Sequence, residues 1–127
     1  MTTTKWISRR SFADALTRTN TKLANSKIDT IREDAVAAGV RSVRSRIETA
    51  CTESKRTPDE VTLVAVTKTV PAPIVNVGRD AGLSHFGENR VQDAENKVRS
   101  VAGGHWHLVG QLQRNKARQA IDLFSLI

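Results

Sequence analysis

Cysteine is nearly absent: Cys51 stands alone among 127 residues. One thiol makes no internal disulfide and no Cys-based zinc pattern, which fits a reducing compartment. Nothing beside it in sequence would activate it, so it reads as a small, half-buried helix residue. Tyrosine is absent too, and the remaining aromatics are two Trp and three Phe. That is too few for the aromatic-interleaved basic stripe of a nucleic-acid surface. No apolar run approaches the roughly 18 residues that cross a bilayer, and no apolar h-region opens the chain. A membrane protein and a secretory signal are both excluded on this pattern.

What is abundant is positive charge, 20 Lys and Arg against 13 Asp and Glu. Its distribution matters more than its size. Residues 1–30 hold six basic and two acidic side chains, whereas residues 31–60 hold six of each. The excess therefore sits mainly in an N-terminal tail and not along one folded face, which argues against nucleic-acid binding. Hydrophobic residues make up 39% and charged residues 26%, an ordinary globular balance for one domain or part of one.

Residues 1–30 are rich in Thr, Ser, Lys and Arg and show no apolar periodicity. They are expected to be a disordered or poorly ordered extension, with an organelle transit peptide as the minor alternative. From residue 31 the character changes. Val36, Val40, Val43 and Ile47 step by four, three and four, one face of an amphipathic helix over about 31–55, which Thr57-Pro58 ends. The run Val61 to Thr67 is β-branched and almost continuously apolar, as suits a parallel strand buried on both faces. A helix over about 71–81 follows, opened by Pro71 or Pro73 and closed by Gly82. Then come a strand over 83–86, a helix over 89–101 broken by Gly103-Gly104, a strand over 105–109 and a helix over 114–121. Leu123 to Ile127 reads as the start of a fourth strand.

Alternation of this kind implies an α/β fold with a parallel sheet and right-handed crossovers. Lys68, Asn89 and Gly110 each end or follow a strand, and they lie 21 residues apart. A doubly wound sheet and a (β/α)₈ barrel both satisfy the pattern. A complete barrel needs about 250 residues, so the chain supplies three βα units and the beginning of strand 4. A domain that stops inside an apolar strand exposes an edge prone to aggregation, and the sequence is expected to be truncated.

Ligand sites in parallel α/β folds form at the carboxyl edge of the sheet. Three strand ends here place polar groups there: Thr67 and Lys68; Glu88 and Asn89; and His107 with Gly110 beyond it. A lysine at the end of a buried strand can lose hydration and offer a neutral amine to an aldehyde, although from position alone a lysine that snorkels to solvent is the commoner reading. Asn89 can bond a ligand or cap the next helix. His105 and His107 share a strand face, but no third ligand at matching spacing follows, so a metal site is not expected. The basic stretch Gln111 to Arg118 can receive an anion at a helix start or simply face solvent.

Taken together and in order, three segments resemble the YggS/PROSC family. They are Leu63-Val64-Ala65-Val66-Thr67-Lys68-Thr69 followed by Pro71, then His85 to Gln92, then His105 to Lys116. The resemblance covers about residues 31–127 and leaves residues 1–30 without a counterpart. It implies a single-domain (β/α)₈ barrel similar to the N-terminal domain of alanine racemase, here only in part. It further implies pyridoxal 5'-phosphate (PLP) held as a Schiff base on Lys68, with Asn89 and His107 beside the cofactor. The implied role is PLP homeostasis or carriage without established catalysis, in a cytoplasmic protein that is a monomer when intact and whose possible partners are PLP-dependent apo-enzymes.

Two departures follow from the same comparison. The family's phosphate-gripping Ser, Gly and Arg loops come from later strands, which are not in this sequence. Racemases of this fold use a tyrosine opposite the lysine, and this chain has none, so it does not carry two-base racemisation alone. The alternatives are a PLP-dependent enzyme completed by further segments, or a fragment without function.

Overall fold

The computed structural model describes residues 9–127. The chain divides into two units, Met1–Asp34 and Ala35–Ile127. The first consists, in its described residues, of the opening of a long helix, α1 (Arg9–Glu53). This helix starts well before residue 31, where apolar periodicity begins. Residues 29–35 are all exposed, so no buried stripe marks this stretch and its helicity rests on propensity, a weak sequence signal. The first eight residues of the expected extension lie outside the described residues.

In the second unit α1 has the expected apolar face. Val40 and Cys51 are buried, Val36 and Ile47 half-buried, while Val43 is 39% exposed. The helix ends two residues earlier than its pattern suggests. The Arg56 N–H bonds the Cys51 carbonyl at 2.8 Å and the Lys55 N–H bonds that of Thr52 at 3.3 Å, with Lys55 at φ +57. That is a Schellman ending, with lysine in the place glycine usually takes.

Three parallel strands follow, β1 (Val64–Val66), β2 (His85–Glu88) and β3 (His105–Leu108), in the order β1-β2-β3. Between and after them lie α2 (Ala72–Asp80), α3 (Val91–Ser100) and α4 (Ala117–Leu123). β1 is shorter than the apolar run because ladder pairing with β2 spans only Val64 to Val66. The expected fourth strand is present as a parallel bridge between His107 and Leu126. The Leu108 N–H bonds Leu126 O at 2.9 Å, and the Ser125 N–H bonds Trp106 O at 2.7 Å.

Alternation along the strands separates two faces. Phe86, Trp106 and Leu108 turn to the helices and form one core with Val75 of α2, Val91 and Ala94 of α3, Ala120 of α4, and Phe124. The Phe86 and Trp106 rings lie 5.2 Å apart at 35°. Gly104, at φ +99, completes this packing: a Cβ there would stand 2.8 Å from the Phe86 ring. The opposite face carries Val64, Val66, Gly87, Val109 and the histidines, and Val66 and Val109 are about half exposed. Among the described residues no helix is long and apolar enough to cross a membrane.

Candidate functional site at the carboxyl edge of the sheet

β1 runs straight into a four-residue turn. Thr67 O accepts the Val70 N–H at 3.0 Å, which leaves Lys68 and Thr69 at the turn's corners. Thr69 has φ +64, a region that suits glycine and costs a β-branched residue about 1–3 kcal/mol. Lys68 is exposed. Burial therefore does not supply the desolvation that a strand-end lysine suggests; what the fold supplies instead is a fixed backbone.

That backbone is fixed through Thr67, buried at 7% exposure. Its N–H donates to Gly87 O at 2.8 Å and its hydroxyl to Glu88 Oε1 at 2.6 Å. Lys97 Nζ, reaching in from α3, donates to the Thr67 carbonyl and to Glu88 Oε1, both at 2.6 Å. Glu88 is wholly buried, and its second oxygen, Oε2, has no partner. The strand order made Thr67 and Glu88 candidates for the open edge. Strand alternation turns Glu88 the other way, toward the helices with Phe86, where it meets Lys97.

Asn89 follows β2 and is half-buried. It does not cap α3: the N-cap is Arg90, without a side-chain cap bond. Asn89 instead lies against Gly110, two residues past β3. A Cβ at Gly110 would stand 2.9 Å from Asn89 Cα and collide with its carbonyl oxygen. The two strand ends thus touch backbone to backbone, and only glycine allows that approach. A cleft of about 760 Å³ opens beside them, lined by Asn89, Arg90, Asp93, Gly110, Gln113 and Lys116 among others. Its polar lining and the start of α3 suit an anionic or hydrogen-bonding ligand.

His107 is not among the residues lining this cleft, and neither is Lys68. It sits within β3, 8% exposed, and joins the other two histidines of the chain. The His85 and His105 rings stack at 4.8 Å, and His85 Nδ1 lies 2.9 Å from His107 Nε2. His107 Nδ1 is buried without a partner. An unpaired lone pair costs less than an unpaired N–H, which assigns the proton to His107 Nε2, donating to His85. Burial, and then the neighbouring His85 and His105, hold the His107 pKa below the ordinary imidazole value. His85 is a contact that spacing along one strand does not reveal; the signal lies in register, which pairs His85 with His105 and Gly87 with His107. Among the described residues no group of three or more His, Cys, Asp or Glu side chains is arranged to hold a metal ion.

No protein-family model matches the chain. It is 42% identical over 94 residues to the pyridoxal phosphate homeostasis protein of Escherichia coli K12, covering 70% of this chain and 40% of that protein. The protein of the same name in Pseudomonas aeruginosa is 37% identical over 94 residues, covering 72% and 41%. Among solved structures, PipY of Synechococcus elongatus, determined without PLP and with PLP bound, shows 39% identity at a TM-score of 0.51 over 63% of this chain. A protein of Bifidobacterium adolescentis gives a TM-score of 0.67 at 30% identity, covering 76% of this chain and 45% of its own. The chain spans about two fifths of the length of the curated relatives it matches. With three strand-end motifs in order and these likenesses over the same segment, the matched part of the chain is similar to the pyridoxal phosphate homeostasis proteins of the YggS/PROSC family.

Proposed function

We propose that the complete protein binds pyridoxal 5'-phosphate and serves PLP homeostasis, with Lys68 Nζ holding the cofactor as a Schiff base. The observation that carries this reading is the placement of Lys68. It is an exposed residue on a hydrogen-bonded turn at the carboxyl end of the first strand, in a chain similar to homeostasis proteins and to a PipY structure with PLP bound. The fold supports a partial (β/α)₈ barrel over a doubly wound sheet, since α2, α3 and α4 all cover one sheet face. The residues present fit half of the cofactor's needs. Lys68 supplies the amine, and Asn89, whose side chain is not spent on capping, supplies an amide at the next strand end. His107, the third candidate, lies within β3 against His85 and outside the cleft beside Asn89.

When bound, the cofactor contributes a reactive aldehyde and an electron-accepting ring. The chain's own part is to bind and orient it. These 127 residues contain no tyrosine, so they do not by themselves supply the second base of a two-base racemase. PLP-dependent apo-enzymes are the corresponding recipients. The test is to incubate the purified chain with PLP, reduce with borohydride, digest and map the adduct by mass spectrometry, with Lys68→Ala as control. A selective adduct at Lys68 is expected. Adducts scattered over surface lysines and unchanged in Lys68→Ala would overturn the reading.

A further inference from the structure

Lys97 and Glu88 form an ion pair that the proposed function does not use directly. Its position is informative. Glu88 immediately precedes Asn89, and Thr67, which both partners grip, immediately precedes Lys68. The carbonyl that accepts Lys97 Nζ is the same one that accepts the Val70 N–H and closes the turn around Lys68 and Thr69. Thr69 holds a left-handed φ there, and such a conformation in a β-branched residue persists only where the surroundings fix it.

We propose that Glu88 and Lys97 are positioning residues for Lys68. They clamp Thr67 so that the strained turn stays closed and presents the Lys68 amine in one direction. The same pair sets the lysines apart chemically. Lys97 ends within hydrogen-bonding distance of the backbone next to Lys68, yet its nitrogen is engaged with a carboxylate and a carbonyl and offers no lone pair to an aldehyde. Lys68 has no such engagement with Glu88. The buried pair therefore both aims the reactive lysine and withholds its neighbour. This rests on the reading of Lys68 as the cofactor lysine, but the clamp itself is measurable without cofactor.

The experiment uses the full chain and two readouts. The first is amide hydrogen exchange at Val70, whose N–H closes the turn, measured against the β2 amides and with no cofactor present. The second is the share of borohydride-trapped PLP adduct at Lys68 and at Lys97. In Glu88→Gln, Val70 exchange is expected to rise about tenfold relative to β2. Lys68's share of adduct is expected to fall about threefold or more as Lys97 takes up label. Adding Thr69→Gly, which removes the strain, is expected to bring Val70 exchange back toward the parent value while Lys97 stays labelled and the lost ion pair's stability stays lost, a rescue that a merely structural role would not give. If Glu88→Gln does not fold, Thr67→Val removes only the hydroxyl's bonds to Glu88 and Gly87, and Val70 exchange then rises about threefold. Unchanged Val70 exchange in a folded variant overturns the clamp. If the parent chain itself gives no Lys68 adduct, the cofactor reading falls, and the exchange arm alone decides the clamp: faster exchange upholds it, unchanged exchange sinks it.

Discussion

Replacing Lys97 by methionine tests how a charge is kept inside this small fold. Met matches most of the aliphatic stem, so the stem's packing between α3 and the strands is nearly preserved and the ammonium is the main loss. Glu88 is then left wholly buried with one donor, the Thr67 hydroxyl, and with Oε2 already lacking a partner. Removing one member of a buried pair costs about 3–5 kcal/mol, chiefly because the other charge stays desolvated. That is a large part of the roughly 5–15 kcal/mol that holds a typical domain. The exposed pair Arg99–Glu95, at 2.8 Å with Arg99 74% exposed, supplies the control: Arg99→Met is expected to cost no more than about 0.5 kcal/mol. Replacing both buried partners, Glu88→Leu with Lys97→Met, removes the stranded charge and is expected to recover most of the loss. The cycle of single and double variants should show coupling of at least about 2 kcal/mol. The assay is urea unfolding followed by circular dichroism at pH 7.5, with a constant slope required for two-state treatment. Lys97→Met within about 0.5 kcal/mol of the parent would refute the reasoning, since it would mean that Glu88 is not a buried carboxylate dependent on its lysine.

Acid should weaken the fold through His107. Its pKa is lowered in the folded state by burial and then by His85 and His105, so the unfolded chain binds more protons once the pH drops below about 6.5. This contribution is complete above that value and is lost as the pH falls through the lower folded-state pKa, with a slope of at most about 1.4 kcal/mol per pH unit for one histidine. Urea midpoints at pH 7.5 and 5.5 should therefore differ less in His107→Gln than in the parent; equal pH dependence in both would exclude His107 as the source. Gly110→Ala should destabilise at or above the upper end of the roughly 1–3 kcal/mol range for overpacking, because the new methyl meets the Asn89 backbone and not a flexible side chain. Thermal unfolding checks this, and a loss below about 0.5 kcal/mol would show that the two strand ends do not touch.

The order of elements was legible because local and tertiary demands coincide. Pro71, which caps α2, and Gly82 (φ +98), just beyond its end, mark boundaries that the backbone itself requires. The spacing of Val36, Val40 and Ile47 records the buried face of α1. The apolar tail from Leu123 marks the Leu126 bridge. Residues 9–30 were not legible as helix because no apolar periodicity runs through them.

The candidate site was legible only in part, and the reason is geometric. Polar residues at a strand's carboxyl end are easy to count, but a step of one residue decides which face each serves. Glu88 and Asn89 are neighbours in sequence and part company in space. Asn89 reaches the cleft, while Glu88 turns inward to Lys97 nine positions along, on the following helix. The three histidines show the same limit in another form. Two lie on one strand and share a face by spacing, whereas the third arrives through the pairing of β2 with β3. Both groupings depend on pairing between elements, which leaves no mark on either segment alone. What spacing does record is backbone chemistry: a glycine that lets Gly110 meet Asn89, and a threonine, Thr67, that uses its N–H, carbonyl and hydroxyl to hold the turn beneath Lys68. The strand-end lysine is thus conspicuous in the sequence, while the residues that fix its backbone become visible only once strand faces and partners are known.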